Sequence, residues 1–221
     1  GEGGILNTDN DELAVKMDAL RNCGRKPVLK EMFSNDTGNY VTEGNFIQSG
    51  NYRMTEFQAA ILLGQLERLP GQLELREKNA LYLNKKLEEV EGITPLLRRE
   101  GTELQCYFNF AFKYDKAAFG GLDVVKFRQA LSAEMDYPFM PSFEPLNNCE
   151  LYSPLTKKRH MLNDDYVNQI DVSRFDLPVS DNIYENVSVC AHHKILMMST
   201  KEMDEIVESI EKIRANVKEI I

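Results

Sequence analysis

SGNYRMTEFQAAILLGQLERL, residues 49–69, opens on a turn residue, Gly50, and sets Asn51, Tyr52 and Arg53 directly ahead of a long helical pattern. Thr55-x-x-Gln58 reads as a capping box, the threonine hydroxyl covering one free backbone N–H and the glutamine amide reaching back. Leu62, Leu66, Leu69 and Leu73 follow at i, i+4, i+7 and i+11, one stripe of a buried helix. Pro70 lacks an N–H and crowds the preceding turn, so a break or kink is expected there. A second helix then runs through Leu75 to about Val90 and stops at Gly92. Asn51–Arg53 stand where unpaired N–H groups and the helix dipole favour an anion such as a phosphate. A capped turn with solvated side chains suits the same residues, and local chemistry leaves both readings open.

Upstream, GEGG leads into Ile5-Leu6-Asn7-Thr8, a short strand-like piece, and Leu13, Met17 and Leu20 then recur at helical spacing. Gly24 is expected at the C′ position of that helix, and residues 34–50 read as a polar, glycine-punctuated loop. Downstream of Ile93 the texture changes. LQCYFNFAFKY alternates, with Phe108, Phe110 and Phe112 on one face and Tyr107, Asn109 and Ala111 on the other, a half-buried strand. LDVVKFRQALSAEM returns to helical spacing through Val124, Phe127 and Leu131. Residues 138–160 are proline- and aromatic-rich without pattern, a length of loop that usually carries function. VSVCAH reads as a further short strand. The closing helix starts at the capping box Ser199-x-x-Glu202 and carries the stripe Met203, Ile206, Val207, Ile210, Ile213, Val217 and Ile221.

With 221 residues the chain has room for one large or two ordinary domains, and no window approaches the apolar length of a membrane span. The net charge of −9 and the scattered positive residues argue against a nucleic-acid surface, which needs a concentrated basic face. Cys23, Cys106, Cys149 and Cys190 lie far apart, which fits reduced thiols in a cytoplasmic protein and neither a zinc site nor a disulfide framework. His160 falls in the irregular loop. His192 and His193 end the last strand, where adjacent side chains point to opposite faces and cannot share a metal ion. No serine-hydrolase elbow, P-loop or HExxH occurs. The residues themselves assign no catalytic group and no metal ligand.

Taken in order, GEGG, RNCGR, NYRMTEFQAAILLGQLERL and REKNALYL resemble the DegT/DnrJ/StrS-type sugar aminotransferases over essentially the whole chain. The later run EPLNNCELYSPLTKKRH…SRFDLPVSDNIYENVSVCAHHKIL is similar to the branch that holds the scyllo-inosose aminotransferases and aminohydroxybenzoate synthases. The resemblance implies an α/β chain, the C-terminal part of a fold-type-I transferase that depends on pyridoxal 5′-phosphate (PLP). It implies a remnant of the large PLP-binding domain at 1–54, linking helices at 55–92, and at 93–221 a small C-terminal domain with a mainly antiparallel sheet. It further implies a homodimer in which Asn51, supported by Arg53, serves the cofactor phosphate of the other subunit. Asn147 of the PLN loop, His160, and His193 of the His-x-x-Leu run are implied as substrate contacts.

In the family the lysine that binds PLP as a Schiff base lies in a Ser-x-x-x-x-Lys segment a few residues before GEGG, and none of the lysines here matches it. The expected reading is a C-terminal fragment, inactive alone, of an enzyme moving an amino group from glutamate or glutamine to a keto-sugar or keto-cyclitol. A non-catalytic binding, dimerisation or regulatory module remains the alternative. The lysine mismatch predicts that the 221-residue chain mixed with PLP and borohydride gives no adduct at one stoichiometric lysine, as peptide mass mapping would show.

Overall fold

In a computed structural model the described residues are 3–27, 42–152 and 163–220. They divide into two compact units, Gly1–Leu69 and Pro70–Ile221.

In the first unit, α1 (Asp11–Arg21) starts where the Asn10 side chain accepts the Leu13 N–H, and it ends in a left-handed turn. The C′ residue of that turn is Cys23 (φ 57°), with Gly24 (φ +76°) one place further on and its N–H on the Ala19 carbonyl at 2.8 Å. Gly24 therefore sits one position beyond its expected place, and its lack of a Cβ is essential. An added Cβ would lie 1.7 Å from the Ile47 carbonyl oxygen. The chain continues as β1 (Arg25–Pro27), paired antiparallel with β2 (Thr42–Asn45). A strand thus occupies part of the segment expected as loop, and residues 28–41 lie outside the described set. Ile5–Thr8 forms no strand among the described residues, and Ile5 and Leu6 are exposed.

Helix α2 (Glu56–Leu87) runs through both units' sequences without interruption at Pro70. Its capping box is formed, with Gln58 N–H on Thr55 Oγ1 at 3.3 Å and Thr55 N–H on Gln58 Oε1 at 2.9 Å. Pro70 is exposed and so is Leu66, whose carbonyl loses its i+4 donor, so solvent can satisfy that group without ending the helix. The same exposure of Leu66 corrects the expected buried stripe. The helix becomes core only in its second half, where Ala80, Leu83 and Leu87 are fully buried. After it, Gly92 (φ +85°) carries the turn, and a Cβ there would meet the Ala118 Cβ at 2.4 Å.

The second unit is built on a four-stranded sheet, wholly antiparallel, of β3 (Ile93–Pro95), β4 (Asn109–Tyr114), β5 (Phe139–Met140) and β6 (Ser188–His192) in the order β3-β4-β6-β5. Pleating buries Phe110, Phe112 and Tyr114 on one face of β4, and Phe112 sits opposite Val189. Phe108 does not join them. The strand begins at Asn109, so Phe108 falls outside the pleat and is 66 % exposed, while Tyr107 is buried instead. Phe139 and Met140 leave the expected loop to pair with β6.

Helix α3 (Val124–Met135), capped by Asp123 on the Val125 N–H at 2.8 Å, buries Val124, Phe127 and Leu131. Short helices α4 (Asp164–Ile170) and α5 (Pro178–Asn182), and a wider turn over Ile183–Val187, lead back to β6. Helix α6 (Thr200–Ala215) begins at the formed Ser199/Glu202 capping box and packs on α3. Its Met203, Ile206, Ile210 and Ile213 share one core with Phe110, Phe112, Phe127 and Val189. The closing helix does not run on to the end, because the Asn216 carboxamide donates to the Lys212 carbonyl at 2.8 Å and closes it. A last turn, α7 (Val217–Ile220), follows.

Tyr114, Phe119 and Phe127 form an aromatic trio with ring centroids 4.3–5.2 Å apart at the middle of this core. Phe112→Ala opens a void beside it and is expected to cost about 3–5 kcal/mol in denaturant unfolding of the second unit. Leu97→Ala, at a side chain 99 % exposed, is expected to stay within about 0.5 kcal/mol of the parent.

Candidate active-site elements

In the first unit, Ser49–Arg53 is bound to the end of α1. Ser49 Oγ donates to the Leu20 carbonyl at 2.6 Å and Tyr52 N–H to the Arg21 carbonyl at 2.9 Å, so this segment satisfies carbonyls that the helix end leaves unpaired. The Cys23 N–H donates to Gly50 O at 2.9 Å, and Asn22 and Asn51 form an isolated antiparallel bridge. The Arg53 guanidinium donates to the carboxamide oxygen of buried Asn22. Asn51 and Arg53, both predicted as phosphate ligands, are thereby brought together: the Arg53 N–H donates to Asn51 Oδ1 at 3.2 Å.

Asn51 therefore closes a turn with its oxygen. That contact orients the amide, so the NH2 group is the exposed end, with no partner among the described residues. Its side chain is half committed, the oxygen to the turn and the NH2 group to no described partner. Tyr52 is exposed. An outward amide donor beside a guanidinium, on a backbone pinned at three points, fits a phosphate group.

In the second unit, β6 ends at His192, and the chain turns at once into a 3-10 turn (His193–Met197). The opposite-face rule for adjacent strand residues therefore fails here. The two imidazole rings lie side by side, centroids 4.0 Å apart. Phe108 meets His192 edge-on at 6.4 Å and stacks with Phe143 at 6.3 Å. The Ser142 N–H donates to Ser188 Oγ at 2.8 Å, which ties the start of the irregular segment to β6 and sets Phe143 in place. The result is an exposed aromatic wall ending on two histidines. Among the described residues no group of three or more His, Cys, Asp or Glu side chains could hold a metal ion.

His193 Nδ1 lies 3.2 Å from the Phe108 carbonyl oxygen. A carbonyl only accepts, so Nδ1 carries the proton and Nε2 presents a lone pair in the neutral ring. Burial holds the imidazole below its ordinary value, opposed by the Phe108 contact and helped in smaller measure by the charges of His192, Arg76 and Lys194. Asn147 is placed differently. Its NH2 donates to Asn148 Oδ1 at 3.1 Å, its own oxygen is buried without a partner, and no contact joins it to His193. His160 lies outside the described residues.

Sequence reasoning passed over Phe108 as a wall residue, Phe143, His192 and Arg76. The signal for Arg76 was present: it interrupts the apolar series Leu69, Leu73, Ala80, Leu83, Leu87 on α2. The juxtaposition of Phe108 and Phe143 had none, because it depends on where β4 starts and where β5 ends.

Solved aminotransferases share this architecture. A 3-amino-5-hydroxybenzoic acid synthase superposes with a TM-score of 0.64 at 22 % identity, over 94 % of this chain and 48 % of that one. A putative sugar aminotransferase from Streptococcus pneumoniae, in its PMP form, gives 0.62 at 17 % identity, over 97 % and 47 %. The fold is therefore that of about half of these solved chains. The match to the DegT/DnrJ/EryC1/StrS aminotransferase family covers residues 1–211, and the chain belongs to that family.

The chain is 33 % identical over 218 residues to the L-glutamine:2-deoxy-scyllo-inosose aminotransferase of Streptoalloteichus tenebrarius, covering 96 % of this chain and 49 % of the relative. It is 32 % identical over 225 residues to the L-glutamine:scyllo-inosose aminotransferase of Streptomyces griseus, covering 100 % and 51 %. It thus spans about half the length of the curated relatives it matches.

A folded-state imidazole held below the ordinary value of 6.5 binds fewer protons than the unfolded chain at the same pH. The stability it contributes is complete above that value and declines as pH falls through it towards the lower folded one. Thermal unfolding between about pH 7 and 5 is therefore expected to show a steeper loss for the parent than for His193→Gln.

Proposed function

We propose that this chain is the C-terminal half of a PLP-dependent aminotransferase that moves an amino group from L-glutamine to a keto-cyclitol of the scyllo-inosose type. The relatives' names support the donor and the acceptor, and the chain's own residues support a division of labour. Residues 1–54 belong to the large cofactor-binding domain, 55–92 link, and 93–221 form the small domain. The observation that carries the reading is the Asn51 carboxamide, its oxygen held by the Arg53 N–H and its NH2 exposed as a donor.

PLP, when bound, supplies the electron sink and carries the nitrogen between donor and acceptor. Asn51 and Arg53 hold its phosphate, reaching from one subunit of a homodimer to the other. His193 presents Nε2 as an acceptor for a substrate hydroxyl or proton. Phe108 and Phe143 exclude water beside it, their apolar faces suiting the C–H face of a cyclitol ring. Asn147 and His160 contribute further polar contacts to substrate.

Two substitutions separate a phosphate donor from a turn-former. Asn51→Asp keeps the acceptor for the Arg53 N–H but replaces the donor with a negative charge, and Asn51→Ala removes both. In the complete polypeptide each is expected to weaken PLP binding roughly ten- to a hundred-fold, as loss of a hydrogen bond to a charged group implies. Thermal unfolding of apo-Asn51→Asp should match the parent. Unchanged PLP affinity in Asn51→Asp would reject the assignment. The reaction is tested by incubating the holoenzyme with L-glutamine and scyllo-inosose and assaying the aminocyclitol.

A further inference from the structure

The His192 and His193 rings lie with centroids 4.0 Å apart, and each turns Nδ1 to the backbone. The two contacts fix opposite tautomers. His193 Nδ1 is 3.2 Å from the Phe108 carbonyl oxygen, which only accepts, so the proton is on Nδ1 and Nε2 holds a lone pair. His192 Nδ1 accepts the Lys194 N–H over a longer 3.4 Å, so in the neutral ring the proton is on Nε2. Neither Nε2 has a partner among the described residues, and neither is sealed from solvent. The Tyr137 hydroxyl donates to the His192 carbonyl at 3.1 Å, and the Phe108 ring meets the His192 ring edge-on, contacts that hold the pair in place.

Two neighbouring imidazoles suit a metal ion only if both Nε2 atoms offer lone pairs, and here one of them is a donor. What the pair matches is a group with one acceptor and one donor in a fixed plane. A hydroxyl takes either part, a carboxylate offers acceptors alone, and a primary carboxamide sets C=O beside NH2. By bond geometry the carboxamide oxygen and nitrogen are about 2.2 Å apart. Two hydrogen bonds diverging from them reach rings at the spacing of this pair. We infer that His192 and His193 bind the side-chain carboxamide of the glutamine donor, His192 Nε2–H donating to its oxygen and His193 Nε2 accepting from its NH2 group. This rests on the aminotransferase reading above and assigns to that site the means of telling glutamine from glutamate, whose second carboxylate oxygen would face a lone pair. Once the donor has left, the same His193 Nε2 is open to a hydroxyl of the acceptor.

The test uses the complete, PLP-loaded polypeptide with ring-labelled histidine, at about pH 8, above the ordinary imidazole range. Nitrogen NMR of the free protein should find the proton on Nε2 in His192 and on Nδ1 in His193. Glutaramate is glutamine without its amino group, and glutarate is glutamate without it. Neither can be transaminated, so calorimetry reads binding without turnover. Glutaramate is expected to bind about tenfold or more tightly than glutarate and to shift both Nε2 resonances. Asparagine at either position places its amide where Nδ1 was, keeping the backbone contact and withdrawing Nε2. His193→Asn should bring the two affinities within about threefold of each other, whereas His192→Asn should weaken both and leave the preference. Both variants should melt like the parent.

The same tautomer in both rings, or no binding of glutaramate, would overturn the inference. So would equal affinities in the parent, or a preference undiminished in His193→Asn, even where transamination from glutamine proceeds. Opposite tautomers with a glutaramate preference lost in His193→Asn uphold the carboxamide site even where that transamination fails.

Discussion

The Asn79 carboxamide donates from its NH2 group to the carbonyls of both Leu196 and Met198, and the side chain is 1 % exposed. These carbonyls belong to the turn between β6 and α6, which has no sheet partner to satisfy them. Burying them unpaired would cost about 1–3 kcal/mol each, and so would leaving the amide without acceptors. The arrangement is therefore reciprocal: the helix needs the turn and the turn needs the helix. It fixes how the sheet's exit lies against α2. Ile195 and Leu196 are driven into the core, and His193 is left at its edge, half-buried.

Everything chemical in the second unit follows from that junction. Because β6 stops at His192, His193 rotates out of the pleat and its ring falls beside His192, with Nδ1 tied to the Phe108 carbonyl. Phe108 is held by the same contact just before β4 begins, which keeps its ring off the core face and available to Phe143. A strand one residue longer at either point would return these side chains to alternating faces and dissolve the cluster. The polar groups here are arranged around backbone needs first, and their capacity for ligands is what those needs leave over.

The first unit shows the same economy. Its cradle is the end of a helix whose unpaired carbonyls are met by Ser49 and Tyr52, so the segment that satisfies α1 also holds Asn51 outward. The Asn51 oxygen completes the turn and its NH2 group faces solvent, so one side chain serves structure with one atom and is free for a ligand with another.

The capping boxes at Thr55 and Ser199, the helical stripes through Phe127 and Ile206, and the alternation of Phe110 and Phe112 were legible, because each depends on neighbours within one or two turns of chain. The Asn51–Arg53 cluster and the family were legible as well, since a contiguous motif carries them. What the sequence could not show is where elements begin and end when long-range contacts decide it. Pro70 was outweighed by a helix whose exposed side tolerates a missing hydrogen bond, and Phe139 was drawn into pairing by β6. Phe108 and His193 were placed by strand termini. By itself the sequence determined the local periods, the caps and the kind of chemistry on offer. Only the tertiary structure decided that Arg76 is buried with its Nε unpaired among the described residues and that Asn79 holds the turn after His193, because burial belongs to surfaces that meet only when residues over a hundred positions apart are packed together.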